Sequence, residues 1–297
     1  GWTDRLGGRT REWPAGVKLF YQDMVKNATS DKENAAVLYN YMQNNMRYVS
    51  IQLGIGGLRP FPASFVDDKK YGDCKALSNY LKSALAAVGV KSNLVIIQGS
   101  TSPRNVLEDF PANYFNHCIL CIPQPNDTTW LECTSTTLPF AELGSWTENR
   151  KAMMVTESGG VLVNTPVSTY QNNTMGVKTI IDVDESGGAK VKADYTLYGD
   201  DRDELLMRYH DLNDDEKRKF FISNLQWKQP GAFEITNSKD KANPYLVSAK
   251  LDYEKIYSFN AGNKFFFETR LYPIFDEEIV DQDRRQRDYY FTNPYQV

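Results

Sequence analysis

The sequence predicts an α+β protein in which helices and an antiparallel sheet come first and a β-rich part follows. Three observations predict it. Leu77, Leu81, Leu85 and Val88 recur at four- and three-residue spacing behind Cys74, the pattern of a helix with an apolar face. After that helix come short apolar runs at 93–98, 116–122 and 129–134, bounded by turn residues, which read as strands. Beyond Pro166 the pattern shifts to alternation on either side of Glu185-Ser186-Gly187-Gly188, a hairpin. The chain has 297 residues, enough for two domains, placed here at 1–166 and 167–297.

The elements follow in order. Ala15 to Lys26 predicts a helix behind Pro14. Ser30 with Glu33 three residues later is a capping box, opening a helix with Ala36, Leu38, Tyr39, Met42 and Met46 as apolar positions. Arg47 to Gln52 is a short β-rich run. Gly54-Ile55-Gly56-Gly57 breaks all periodicity; no Gly-Lys-Ser/Thr follows, so it reads as a surface loop lining a cleft and not as a phosphate loop. Pro60-Phe61-Pro62 leads into a short helical stretch ending near Lys70. Cys74 to Val88 is the clearest helix, stopped by Gly89. Further short strands are predicted near 152–155 and 161–163. The second part predicts strands at 177–183, 190–197, 245–253 and 264–271, with helices at 203–210 and 214–225.

Composition narrows the function classes. Hydrophobic residues make up 41% and aromatic residues 13%, which fits a folded chain. The net charge is −4 and the basic residues do not cluster, so no nucleic-acid partner is expected. No apolar run approaches the roughly 18 residues of a membrane span, and none is expected. The opening Gly1-Trp2-Thr3-Asp4 is not a signal peptide, so the compartment is not legible. Four cysteines in a chain of this length do not make a disulfide framework. Cys118 and Cys121 form a C-x-x-C, but on a strand they point to opposite sides and no second ligand pair follows. They read as small buried thiols, with no metal.

The chemistry lies in three residues. Cys74 sits where a loop hands over to a helix, in Tyr71-Gly72-Asp73-Cys74-Lys75; Asp73 is its candidate N-cap. His117 is one of two histidines and stands at a strand start; the other, His210, lies in a polar stretch beyond Pro166. Glu132 follows in Trp130-Leu131-Glu132-Cys133. Helix-start Cys, strand His and strand acid are the layout of a thiol nucleophile, its base and the base's orienter. If the strands around His117 and Glu132 pair with Ile122 facing Thr129, His117 and Glu132 are diagonal neighbours on one face. A register two residues away sets them directly opposite, and a one-residue slip would separate them. Cys118 and Cys133 then share the other face, away from the site. Candidate oxyanion donors are the Cys74 backbone N–H and the amide of Gln52.

Arg47-Tyr48-Val49-Ser50-Ile51-Gln52-Leu53-Gly54, Tyr71-Gly72-Asp73-Cys74-Lys75, Phe115-Asn116-His117 and Trp130-Leu131-Glu132 together resemble the transglutaminase-like superfamily. The likeness is to a bacterial branch whose core is followed by a β-rich domain of unknown function. It covers about 15–165 well and the rest more loosely. It implies a papain-like core, a nucleophile helix on an antiparallel sheet, with Cys74, His117 and Glu132 as the triad. The family's acid is Asp, so Glu132 departs by one methylene. Ala76 stands where the branch usually has an acidic residue, and Cys133 where a small one is common. The resemblance implies acyl transfer on an amide or peptide bond, hydrolysis ahead of crosslinking, without metal or organic cofactor. It also implies a periplasmic or cell-envelope setting and a peptide or protein partner. The alternative is a catalytically silent binding or scaffold module of the envelope.

Overall fold

The computed structural model describes residues 12–14, 16–51, 54–102, 104–110, 112–125, 127–209, 212, 213, 215–217, 219, 220, 232–238 and 244–267. Gln52, His210 and most of the helix expected at 214–225 lie outside the described residues. Backbone packing divides the chain into two compact units, Gly1–Val167 and Ser168–Val297. Helices and antiparallel sheets are segregated along each, which is the α+β class.

The first unit opens with helices α1 (Val17–Met24) and α2 (Asp31–Asn45). Ser30 Oγ accepts from the Glu33 N–H at 3.2 Å. Glu33 reaches back one residue further than a capping box requires, accepting from the Thr29 N–H at 2.6 Å. The short strand β1 (Arg47–Tyr48) pairs in parallel with β2 (Tyr71–Gly72). The Val49 N–H donates to the Gly72 carbonyl at 2.9 Å. This parallel pair is invisible in the sequence, since its partners are separated by the turn at Gly54–Gly57 and helix α3 (Ala63–Lys69). It lays Val49 beside Gly72, two residues before Cys74. The glycine run forms a 3-10 turn where an irregular loop was expected.

Helix α4 (Cys74–Ala87) carries the core. Its buried set includes not only Leu77, Leu81 and Leu85 but also Ser78, Asn79 and Ser83 on other sides. The leucine spacing predicts one apolar face. The helix is instead covered nearly all round, because α1, α2 and α3 pack on it while the strand that begins at His117 receives it from the sheet. Small residues allow this approach: a Cβ on Gly72 would meet the Ala76 Cβ at 2.8 Å. The buried hydroxyls are satisfied locally, Ser83 on the Asn79 carbonyl at 2.7 Å and Ser78 on the Cys118 carbonyl at 3.1 Å.

The sheet is antiparallel throughout, in the order β5-β4-β3-β6-β7. Its strands are β3 (Asn93–Ile97), β4 (His117–Gln124), β5 (Asp127–Leu131), β6 (Lys151–Val155) and β7 (Gly160–Asn164). Ile122 faces Thr129, the first of the two registers considered above. Alternation along β4 sends Cys118, Leu120 and Ile122 into the helical core and Ile119 and Cys121 to the other face, with Val95, Ile97, Trp130 and Leu143. Cys118 and Cys133 do lie opposite His117's face. They are not remote from Cys74, however: that face is the one α4 packs against, so all three thiols belong to one buried cluster.

The second unit is a sheet of order β10-β11-β9-β8. It comprises β8 (Met175–Val183), β9 (Ala189–Leu197), β10 (Ala232–Asn237) and β11 (Tyr245–Tyr253). Val191, Ala193, Tyr195 and Leu197 alternate with exposed Lys190 and Lys192 and half-buried Asp194 and Thr196, and pack with Val247, Leu251 and helix α5 (Gly199–Tyr209). Helix α5 begins earlier than charge patterning suggests because Asn173 Oδ1 accepts from the Asp200 N–H at 3.1 Å, capping the first turn. Strand β10 and the hairpin partner β12 (Phe259–Ala261) of β13 (Lys264–Phe266) were not predicted. The aromatics divide: Tyr195 is core, while Phe266 and Phe267 are exposed.

Candidate active site

Three elements bring Cys74, His117 and Glu132 together. Asp73 caps α4, its Oδ1 accepting from the Ala76 N–H at 2.9 Å, so Cys74 occupies the first helical position. The Asp73 carboxylate also pairs with Lys75. His117 is the first residue of β4. Glu132 follows the last residue of β5, on the diagonal set by the Ile122–Thr129 register.

The His117 Nε2 lies 3.1 and 3.0 Å from the two Glu132 oxygens. The Cys74 side chain also acts on the imidazole, favouring its charged form. With Nε2 held by the carboxylate, Nδ1 is the ring nitrogen left to exchange a proton with another group. All three residues are between 4 and 6% exposed. Burial is the largest influence on His117 and disfavours its charge. The Glu132 charge, the hydrogen bonds to Cys74 and Glu132 and the Cys74 charge together exceed it, raising the imidazole to about 9. Burial is likewise the largest influence on Glu132 and pushes it up. The His117 charge and bonds from His117 and Thr134 outweigh it, and the carboxyl stays below its ordinary value.

Side chains that no pattern in the sequence singled out complete the arrangement. Thr134 donates to Glu132 Oε1 through its N–H at 3.0 Å and its hydroxyl at 2.6 Å. Tyr39 donates to the Glu132 carbonyl at 3.0 Å, and Gln43 ties Tyr39 to the carbonyls of Ser135 and Leu138. The indole of Trp146 lies against the His117 ring, centroids 4.8 Å apart at 63°. Only Thr134 carried a signal, its position two residues after the acid. Trp146 is far away in sequence and had none.

The backbone N–H of Cys74 is in the first turn of α4, where helical geometry supplies no partner within the helix. The other oxyanion candidate, Gln52, lies outside the described residues. The remaining thiols differ from Cys74 in chemistry. Burial pushes Cys118 and Cys133 far up and Cys121 to about 11, which holds them protonated near neutrality. Cys118 and Cys121 face opposite sides of β4, so the C-x-x-C does not converge on one point.

No family model matches the chain, and no curated protein matches it by sequence. Among solved structures, it is similar to a protein from Parabacteroides distasonis described as a "putative protease", at a TM-score of 0.43 and 12% identity. The match covers 85% of this chain and 52% of that one, so the chain spans about half of that protein's length. A likeness at this level assigns neither fold family nor activity. Among the described residues, no helix is long and apolar enough to cross a membrane.

Proposed function

We propose that the protein is a thiol-dependent acyl-transfer enzyme acting on amide or peptide bonds, with Cys74 as nucleophile, His117 as acid and base, and Glu132 as the group that orients and charges the imidazole. The observation that carries this reading is the contact of the Glu132 carboxylate with His117 Nε2 at 3.0 Å, on a ring whose charge the Cys74 side chain also favours. The thiol proton passes to His117 Nδ1, and Glu132 favours that state by stabilising the imidazolium. Sulfur then attacks the carbonyl carbon, and the oxyanion forms beside the α4 N-terminus, where the Cys74 N–H can donate. His117 returns its proton to the departing amine as the C–N bond breaks, leaving a thioester. Water, activated by the now neutral His117, hydrolyses the thioester and restores the thiol. The steps call for no metal or organic cofactor.

In this reading residues 1–166 are a transglutaminase-like core of papain type, and 167–297 an accessory domain that shapes access or recruits a partner. Hydrolysis is preferred over crosslinking and a peptide or protein of the cell envelope as substrate; both come from the family resemblance. The test is labelling of native protein with a thiol-directed electrophile, followed by mass-spectrometric assignment of the site. Label on Cys74 well ahead of the other thiols is expected. Labelling of Cys74 no faster than after denaturation would remove the enzyme reading and leave the scaffold alternative.

A further inference from the structure

Arg150 lies outside the triad and makes an unusual set of bonds. Its Nε donates to the Glu148 carbonyl at 2.7 Å and one terminal nitrogen to the Gln98 and Ser100 carbonyls, both at 2.8 Å. The other terminal nitrogen donates to the Ser145 carbonyl at 2.6 Å. Four of the five N–H groups of a guanidinium thus go to backbone oxygens, and they come from two separate segments. The Arg150 backbone is itself fixed against Thr165, which accepts from the Arg150 N–H at 3.1 Å and donates its own N–H to the Arg150 carbonyl at 2.9 Å.

The two clamped segments carry the groups around the imidazole. Gly99 lies between Gln98 and Ser100, and Trp146 follows Ser145. The Ser100 N–H donates to the Trp146 carbonyl at 3.1 Å. A Cβ on Gly99 would meet the Trp146 ring at 2.6 Å, so the indole rests on bare backbone. Gly99 is also bonded in both directions to the side chain of Asn116, at 2.7 and 3.1 Å, and Asn116 directly precedes His117. Trp146 is 44% exposed while His117 beneath it is 6% exposed: the indole takes the solvent in place of the imidazole. Among the described residues the indole is half exposed and rests on the Gly99 backbone and the His117 ring.

We propose that Arg150 is a positioning residue that holds Trp146 as a roof over His117, acting through the 98–100 and 144–148 backbone. Its catalytic meaning rests on the thiol reading above, but the placement itself does not. Arginine suits the role because its planar fork serves several carbonyls at once, whereas a lysine ammonium is a point donor. The ionisable groups around the roofed ring are Glu132 and Cys74, and Glu148 is the acid beside Arg150.

The test reads the imidazole directly. The chain has two histidines, so a His210→Gln background leaves His117 as a single set of imidazole resonances. Trp146→Leu is expected to displace the His117 ring-proton shifts by removing the indole ring current. Arg150→Gln and Arg150→Lys are each expected to displace them in the same direction, and Trp146→Leu/Arg150→Lys to match Trp146→Leu alone. Alkylation of Cys74 in the Arg150 variants should change about 10-fold, as a misplaced imidazole would. If Arg150→Gln fails to fold, Arg150→Lys keeps the charge and stem and is read the same way. If neither folds, Gly99→Ala, which displaces the indole without touching Arg150, is compared with Trp146→Leu, and unchanged His117 shifts in Gly99→Ala overturn the clamp. Wild-type His117 shifts in a folded Arg150 variant, or additive effects in the double variant, also overturn it. Slow alkylation of Cys74 in the wild type, with the His117 shifts behaving as expected, would sink the enzyme reading and leave the clamp standing.

Discussion

Cys74 and Cys118 are both about 95% buried, and both belong to the cluster beneath α4. Solvent exposure does not separate them. What separates them is what each sulfur faces. Cys118 and its neighbour Cys133 meet apolar side chains and a serine hydroxyl, and burial holds their protons on. Cys74 stands at a helix N-terminus against an imidazole that a buried carboxylate charges. The lesson is that a buried thiol is inert or reactive according to the partner that can take its proton.

The comparison breaks most sharply at the thiols themselves. Cys74→Ala should abolish labelling by an electrophile at neutral pH, with wild-type Cys74 labelled at least about 100-fold faster than Cys118, Cys121 or Cys133. Comparable labelling of Cys118 in native protein would erase the distinction. Next in size is the removal of the charge partner. Glu132→Ala should cost about 3 kcal/mol in denaturant unfolding near pH 6, because it strands a buried imidazolium. The His117 titration should then fall from about 9, since burial is left opposed only by Cys74. An unchanged His117 titration would show that the pair does not exist in solution.

The pair also predicts a pH window. A raised histidine contributes stability fully below its unfolded value of about 6.5, and loses it as pH rises through about 9. A depressed carboxyl contributes above its unfolded value of about 4.3, and loses it as pH falls through its folded value. The pair's contribution should therefore be greatest between about pH 4.5 and 6.5, and should decline toward alkaline pH. In Glu132→Gln the alkaline decline should vanish. The alkaline limit of any activity should follow His117 near pH 9, where the leaving amine loses its acid.

Smaller effects sharpen the boundary. Thr134→Val removes the hydroxyl bond to Glu132 and should cost about 1.5 kcal/mol, with a His117 titration lowered less than in Glu132→Ala. The double replacement Cys118→Ala/Cys133→Ala should cost about 1 kcal/mol per site through lost packing and leave the Cys74 labelling rate within about 2-fold. A larger rate change would mean that these thiols, which share the α4 face with Cys74, take part in its chemistry.

The elements that were legible carry a local signal. The Ser30 cap, the leucine ladder of α4, the Asp73 cap and the hairpin at Glu185–Gly188 all depend on residues within a few positions of one another. The hairpin register was narrowed for the same reason: Ile122 and Thr129 flank one turn, and a single-residue slip would have turned every side chain over. The strands missed in the second unit carried local signals of their own: Pro230-Gly231 precedes the six residues of β10, and Gly262-Asn263, a two-residue hairpin turn, joins the three-residue β12 to β13.

By itself, then, the amino-acid order marked most of the helices and the main strands of the first unit, and put Cys74, His117 and Glu132 on or beside them, because periodicity, caps and tight turns act over a few residues. Tertiary structure decided the rest. It packed α4 on all sides, and drew Tyr48 and Gly72 into a parallel pair. It put Cys118 and Cys133 under the same helix as Cys74, and set Trp146 on His117 under the hold of Arg150. These contacts join residues far apart in the chain. They are fixed by shape, burial and the need of each buried polar group for a partner, none of which leaves a period or a spacing in the sequence.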